Sequence, residues 1–241
     1  MVSSPQGRFV DGAAAVNGRV LKKATAWGKH LFHHYDGGRV VHVHLGLYGT
    51  FSEVPIPMPL PVGQVRMRMI GTEYGTDLRG PTVCEVIEEP EVLDVVAKLG
   101  PDPLRRDADG ALAWARINKS RRPIGALLMD QSVIAGVGNV YRNELLYRHR
   151  VDPYRTGTHV DEAEFDAMWT DLVELMKVGF RRGKIIVVRP EHDHGLPSYA
   201  PNRPRTYVYR RAGEPCRVCG TTIRTAELEG RNVFWCPTCQ K

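Results

Sequence analysis

The chain has 241 residues, 42% of them hydrophobic, and carries 33 Lys and Arg against 27 Asp and Glu, for a formal net charge of +6. That length holds two domains with real cores. No stretch reads as a membrane span or a secretory signal, and four of the five cysteines stand in metal-ligand spacing, so the expected compartment is a reducing cytosol. The charge is unevenly placed: residues 177–241 carry 13 basic against 5 acidic side chains, a net +8, whereas residues 1–176 carry 20 against 22, a net −2. A basic carboxyl-terminal end points to a polyanion, nucleic acid above all, because neutralising phosphates releases counterions.

Taken in order, residues 1–88 read as mostly strand. Leu31 to Tyr35 and Arg39 to Leu45 flank Asp36-Gly37-Gly38, a loop whose glycines suit positive φ. Gln64 to Ile70 and Thr82 to Ile87 read as further strands. The alternate prolines from Pro55 to Pro61 form an extended connection, since proline cannot donate to a ladder. This pattern predicts an antiparallel β-sandwich. His42 and His44 alternate on one strand face and read as packed or hydrogen-bonded; Cys84, in an apolar run, reads as a buried inert thiol.

Val92, Val95, Val96 and Leu99 recur at helical spacing until Gly100-Pro101-Asp102-Pro103 stops them. Beyond, Ala111 to Ile117, Pro123 to Asp130, Asn139 to His149 and Asp161 to Arg182 read as helices, the last with Phe165, Met168, Trp169, Leu172, Leu175, Met176 and Phe180 on a core-facing stripe. Gly136-Val137-Gly138-Asn139 joins two of them in a tight turn with Asn139 placed to cap the second, and free amides at a helix start attract phosphate. Residues 189–205, rich in Pro, Gly and His, read as a long loop in which His192 and His194 are solvated rather than metal-bound. The fold class is therefore α+β: a sandwich domain over 1–99, a linker over 100–110, a helical domain over 111–205 and a zinc finger over 206–241.

The finger rests on Cys216-Arg217-Val218-Cys219 and Cys236-Pro237-Thr238-Cys239. Four thiolates at this spacing close a tetrahedral shell around one structural Zn2+ and leave no open position for a reacting water. Between the knuckles, Ile223 to Leu228 and Val233 to Trp235 read as a hairpin turned by Glu229-Gly230-Arg231-Asn232, which places Arg231 at an exposed tip suited to bidentate phosphate binding.

A Gly-x-Gly-Asn turn between two helices, followed by a four-cysteine ribbon with an arginine in its turn, resembles the formamidopyrimidine-DNA glycosylase and endonuclease VIII family of base-excision repair enzymes. Gly28-Lys29-His30, His44-Leu45-Gly46-Leu47-Tyr48-Gly49 and Leu99-Gly100-Pro101-Asp102-Pro103-Leu104 extend the resemblance over nearly the whole chain, and Leu47-Tyr48 looks like the endonuclease VIII branch. The resemblance implies a helix-two-turn-helix domain and a monomer acting on double-stranded, nucleoid DNA that carries a damaged base, an oxidised pyrimidine in this branch, or an abasic site. It implies that Leu47 and Tyr48 fill the gap left by a flipped nucleotide, that Lys29, Asn139 and Arg231 bind phosphates around it, and that Lys29 and Arg231 donate protons in strand cleavage. The family's amine nucleophile and its acid lie in a segment beginning Met-Pro-Glu-Gly, whereas this chain begins Met1-Val2-Ser3-Ser4-Pro5. An internal proline nitrogen is an amide and forms no Schiff base. No catalytic helix is therefore expected ahead of the lysine hairpin, the sandwich is expected to be incomplete at its amino end, and the chain as written is expected to be impaired or inactive. Two other readings remain: a damaged-DNA-binding protein that does not cut, and a zinc ribbon that contacts RNA or protein.

Overall fold

The computed structural model describes residues 1–193, 195–197 and 200–241, and the chain divides into two compact units, Met1–Lys98 and Leu99–Lys241. His194, one of the two loop histidines singled out above, lies outside the described residues. Among the described residues, no helix is long and apolar enough to cross a membrane.

The first unit runs β1 (Val2–Ser3), α1 (Val10–Val16), β2 (Leu21–Trp27), β3 (His30–Tyr35), β4 (Arg39–His44), β5 (Thr50–Pro55), β6 (Val65–Ile70), β7 (Tyr74–Arg79), β8 (Val83–Glu88) and α2 (Glu89–Ala97). It forms two antiparallel four-stranded sheets, ordered β1-β6-β7-β5 and β2-β3-β4-β8. Alternation along β4 sorts its side chains: Val41 and Val43 join Tyr35, Met67 and Leu78 in the core, while Val40 on the opposite face packs with Phe32 and Ile87 beneath Val92, Val95 and Val96 of α2. That second layer explains why β4 is buried on both sides.

Helix α1 and the strands β1, β2, β5 and β7 were not given by the sequence reading. A helix does stand ahead of the lysine hairpin: α1 buries Ala13 and Val16 against the sandwich, and its Gly-Ala composition conceals a helical period made of small residues. It carries neither the Pro nor the Glu of the family's catalytic segment. Strand β7 was hidden by Gly75 and Asp77. The buried Asp77 carboxylate accepts from Arg68 Nε at 2.7 Å and Nη2 at 2.8 Å, and these bonds hold its pKa below the ordinary carboxylate range. Cys84 is partly buried, and burial pushes its thiol up to about 12.

The second unit contains α3 (Gly110–Ile117), α4 (Ile124–Leu127), α5 (Asn139–Arg148), α6 (Glu162–Arg182), β9 (Arg224–Leu228) and β10 (Arg231–Trp235). Its helical core gathers Ile117, Leu128, Ile134, Leu145, Phe165 and Leu172. Asp161 caps α6 by accepting from Glu164 N at 2.7 Å, and Gly183 ends it with φ 59°. Three expectations are corrected here. Helix α4 spans four residues instead of the eight read from Pro123 to Asp130. Phe180 is 79% exposed, because the periodic stripe on α6 outruns the core it packs on. Asn139 is the first helical residue of α5 and Gly138 holds the cap position.

A candidate nucleic-acid interface and metal centre

The four knuckle cysteines converge, with their Sγ atoms all within 4.8 Å of one another. Cys216 and Cys239 are 4.0 Å apart, and Cys219 lies 3.4 Å from both Cys236 and Cys239. These separations exceed a disulfide and bracket the roughly 3.8 Å between sulfurs on a tetrahedral Zn2+ with 2.3 Å bonds. Four soft thiolates with no carboxylate or water position fit one structural zinc. Backbone turns aid the shell: Cys216 N donates to Thr221 O at 2.8 Å and Gly220 N to Cys216 O at 3.0 Å. Tyr147 of α5 places its hydroxyl 3.0 Å from Cys216 Sγ, so a phenol O–H faces a sulfur that needs donors once it is a thiolate.

Helix α5 is the element that places the hairpin. Asn143 Oδ1 accepts from Phe234 N at 2.7 Å, Asn139 Nδ2 donates to Asn232 O at 3.1 Å, and Arg142 Nη2 donates to the same carbonyl at 3.0 Å. Arg142 also bonds Asn139 Oδ1. The next residue, the fully buried Glu144, accepts from the backbone amides of Tyr207, Val208 and Tyr209 at 2.7, 2.9 and 2.7 Å, so the segment entering the finger is tied to the same helix. Burial raises the Glu144 pKa, and these amides and Arg211 act against that rise.

The hairpin turn is tighter than its sequence suggests. Only Glu229 and Gly230 form the tip, both with positive φ, and Arg231 is the first residue of β10, partly buried and paired with Leu228. Arg231 is therefore not at an exposed tip. Instead it stands beside Arg142, a residue the sequence reading passed over. Arg142 is 1% exposed, its Nε has no partner among the described residues, and its two bonded partners are neutral oxygens. Burial, followed by the positive charge of Arg231, holds its pKa down to about 10. By contrast Arg122, nearby, is neutralised by Glu229 at 2.7 Å and Asp130 at 2.7 Å. Two guanidinium groups, one buried without a bonded carboxylate, make this end of α5 receptive to an anion. The available signal was the weak amphipathicity of Asn139–Arg148: a helix with Arg142, Asn143 and Glu144 all buried needs polar neighbours on several sides.

In the first unit, Lys29 sits in the Gly28-Lys29 turn between β2 and β3 and is exposed. His30 pairs in register with His44, so the loop after β4 leaves the sheet at the end where that turn lies. On that loop Leu47 and Tyr48 are 62% and 85% exposed, an apolar pair held out in solvent. The loop depends on Gly46, which has φ 68° and where a Cβ atom would meet Thr82 Oγ1 at 1.8 Å. Lys29, Leu47 and Tyr48 thus share one end of the first unit, while Asn139, Arg231 and the four cysteines are assembled around α5 in the second. His192 Nδ1 lies 2.9 Å from the Tyr207 hydroxyl and belongs to no metal cluster among the described residues.

A sandwich unit, a helical unit with a glycine turn, and a four-cysteine finger are the architecture expected of the zinc-finger class of DNA-repair glycosylases. Residues 99–190 match the formamidopyrimidine-DNA glycosylase H2TH domain, and residues 213–241 match the zinc finger found in FPG and IleRS. The chain is 77% identical to endonuclease 8 1 of Mycobacterium tuberculosis over 99% of its own length and 91% of the relative's. It is 31% identical to the formamidopyrimidine-DNA glycosylase of Methylococcus capsulatus, covering 94% of this chain and 84% of that one. The chain belongs to the formamidopyrimidine-DNA glycosylase and endonuclease VIII family. Its fold matches that of Lactococcus lactis Fpg, solved in complex with DNA containing an abasic site, with a TM-score of 0.82 at 20% identity over 100% of this chain and 91% of that chain.

Proposed function

We propose that this protein acts, as a monomer, on double-stranded DNA bearing an oxidised base, with pyrimidines the favoured class, or an abasic site, and that it reads the lesion with the nucleotide turned out of the duplex. The observation that carries this reading is the Arg142–Arg231 pair, a partly buried positive site braced by α5 and by a metal-closed hairpin. An anion that enters such a site is a phosphate of the distorted strand, because a buried guanidinium without a bonded carboxylate gains most from a doubly accepting oxyanion. Lys29 and Asn139 are assigned to neighbouring phosphates. The exposed Leu47-Tyr48 pair supplies the wedge that occupies the vacated base position; unstacking costs a few kcal/mol, and apolar contact offsets part of it.

In strand cleavage Lys29 and Arg231 have the roles of proton donors to departing phosphate oxygens. The zinc, when bound, supplies shape: it fixes the base of the hairpin that carries Arg231. The functional modules are taken as the sandwich over 1–99, a linker over 100–110, the helix-two-turn-helix domain over 111–205 and the finger over 206–241. These 241 residues include no amino-terminal Pro-Glu pair. Schiff-base formation needs a free amine held beside the sugar, so trapping is compared with and without that pair.

Borohydride trapping on duplexes with oxidised pyrimidines, together with equilibrium binding to a tetrahydrofuran-containing duplex, tests both parts. Expected are preferential binding of the lesion duplex, weak trapping by these residues alone, and efficient trapping once a Met-Pro-Glu segment is joined at the amino end. Equal affinity for intact and lesion duplex at matched salt would overturn the recognition reading. Efficient trapping by the 241 residues would overturn the catalytic one.

A further inference from the structure

A line of hydrogen bonds crosses the α2-covered face of the β2-β3-β4-β8 sheet and ends beside Lys29. Glu85 and His42 are register partners on β8 and β4, with Glu85 Oε1 3.0 Å from His42 Nδ1. His42 Nε2 in turn lies 2.8 Å from Nδ1 of His30, the residue that follows Lys29. The proton order along this line is set from its carboxylate end. With Glu85 as the acceptor and a neutral His42 between, His42 Nδ1 carries the proton toward Glu85, His42 Nε2 accepts, and His30 Nδ1 carries the next proton. That leaves His30 Nε2 as a bare acceptor.

The rings are fixed by packing as well as by bonding. Phe32 stacks on His42 at 5.0 Å between centroids and 17° between planes, and His42 is only 4% exposed. His44 lies against His30 at 4.8 Å. Burial, then His44, His42 and Lys29, hold the His30 pKa down to about 4, so it remains neutral near pH 7. At the other end Glu85 is 54% exposed and open to water.

We propose that Glu85 and His42 are positioning residues that hold His30 as its neutral Nδ1–H tautomer, so that the Lys29 hairpin meets DNA with one cationic donor and, beside it, a bare acceptor. A phosphate oxygen is then directed to the lysine ammonium and turned away from the imidazole; the opposite tautomer presents a competing N–H. This inference rests on the assignment of Lys29 to a phosphate.

Long-range 1H–15N spectra of the histidine rings at pH 7.5 read the tautomers directly. Both His30 and His42 are expected to show the Nδ1–H pattern. His42→Phe keeps the stack on Phe32 and removes the acceptor, so His30 reverts toward the Nε2–H form. The phosphate oxygen is then shared between Lys29 and an imidazole N–H, and affinity for a tetrahydrofuran-containing duplex shifts about fivefold at matched salt, the scale of one net hydrogen bond. His42→Gln restores an oxygen acceptor for His30 and keeps affinity within about twofold of the parent. Glu85→Ala, at an exposed position, supplies the test if His42→Phe fails to fold, and is expected to convert the His30 and His42 signals to mixtures of both tautomers. An Nε2–H pattern for His30 in the parent protein, or unchanged signals in Glu85→Ala, overturns the proposal. So does parental affinity in His42→Phe when Lys29→Ala binds weakly. Unchanged affinity in Lys29→Ala removes the phosphate assignment of Lys29 and the docking role built on it, whereas the tautomer spectra judge the wiring independently.

Discussion

Both units present a basic side chain at a hairpin, and they stiffen it by opposite means. The β2-β3 turn that bears Lys29 grows out of a four-stranded sheet, so ladder hydrogen bonds and a core on each face of β4 hold it. The β9-β10 hairpin that bears Arg231 has only two strands, a size that is marginal by itself in water. It borrows order from a metal shell at its base and from side chains of α5 along its length. One support is distributed over many contacts; the other is concentrated in a few polar groups. The second should therefore be far easier to break.

Metal removal tests that contrast most severely. A structural zinc contributes on the order of 10 kcal/mol to the elements it closes. Chelation is expected to release four titratable thiols, loosen the hairpin and abolish lesion-duplex binding, while amide exchange in β3 and β4 stays slow. Loss of protection in both units together would show that the finger and the sandwich are not independent in stability.

Glu144→Ala comes next, because it strands the three backbone amides of residues 207–209 in a buried site. A cost of about 3–5 kcal/mol is expected from denaturant unfolding of the second unit, and a change under about 1 kcal/mol would mean that solvent reaches those amides. Arg231→Ala leaves the fold intact and weakens tetrahydrofuran-duplex binding by about 1–3 kcal/mol, the range for a hydrogen bond to a charged group. Binding equal to the parent's at matched salt counts against the anion site.

Acid acts on the first unit through His30. Its pKa is lowered from 6.5 to about 4 in the folded chain. The unfolded chain therefore takes up the proton first, and the stability contributed by neutral His30 is complete above about pH 6.5 and is lost as pH falls toward 4. Thermal melts in which His30→Phe flattens the decline across this window support the assignment; an identical pH slope in parent and variant refutes it. The smallest effect on stability belongs to Leu47→Ala. Its side chain is 62% exposed, so unfolding is expected to move by no more than about 0.5 kcal/mol. Discrimination between lesion and intact duplex should nonetheless fall, which competition binding measures.

Local chemistry alone determined much of this protein. Cysteine spacing specified the metal shell, because four donors at two-residue gaps leave few other arrangements. Apolar periods of two and of about 3.6 marked β3, β4, β6, β8, α3 and α6, because a side chain's face follows from backbone geometry. The tertiary structure decided what local pattern does not encode. It tightened the hairpin turn to Glu229-Gly230 and drew Arg231 into the start of β10. It ended the core before Phe180, since a helix period does not know where its partner stops. It buried Arg142, Asn143 and Glu144 on one helix and gave all three partners more than 60 residues away, in Asn232, Phe234 and Tyr207. Residues that polar cannot be assigned to an interior from sequence, because their burial is tolerable only once distant backbone amides and carbonyls arrive to meet them.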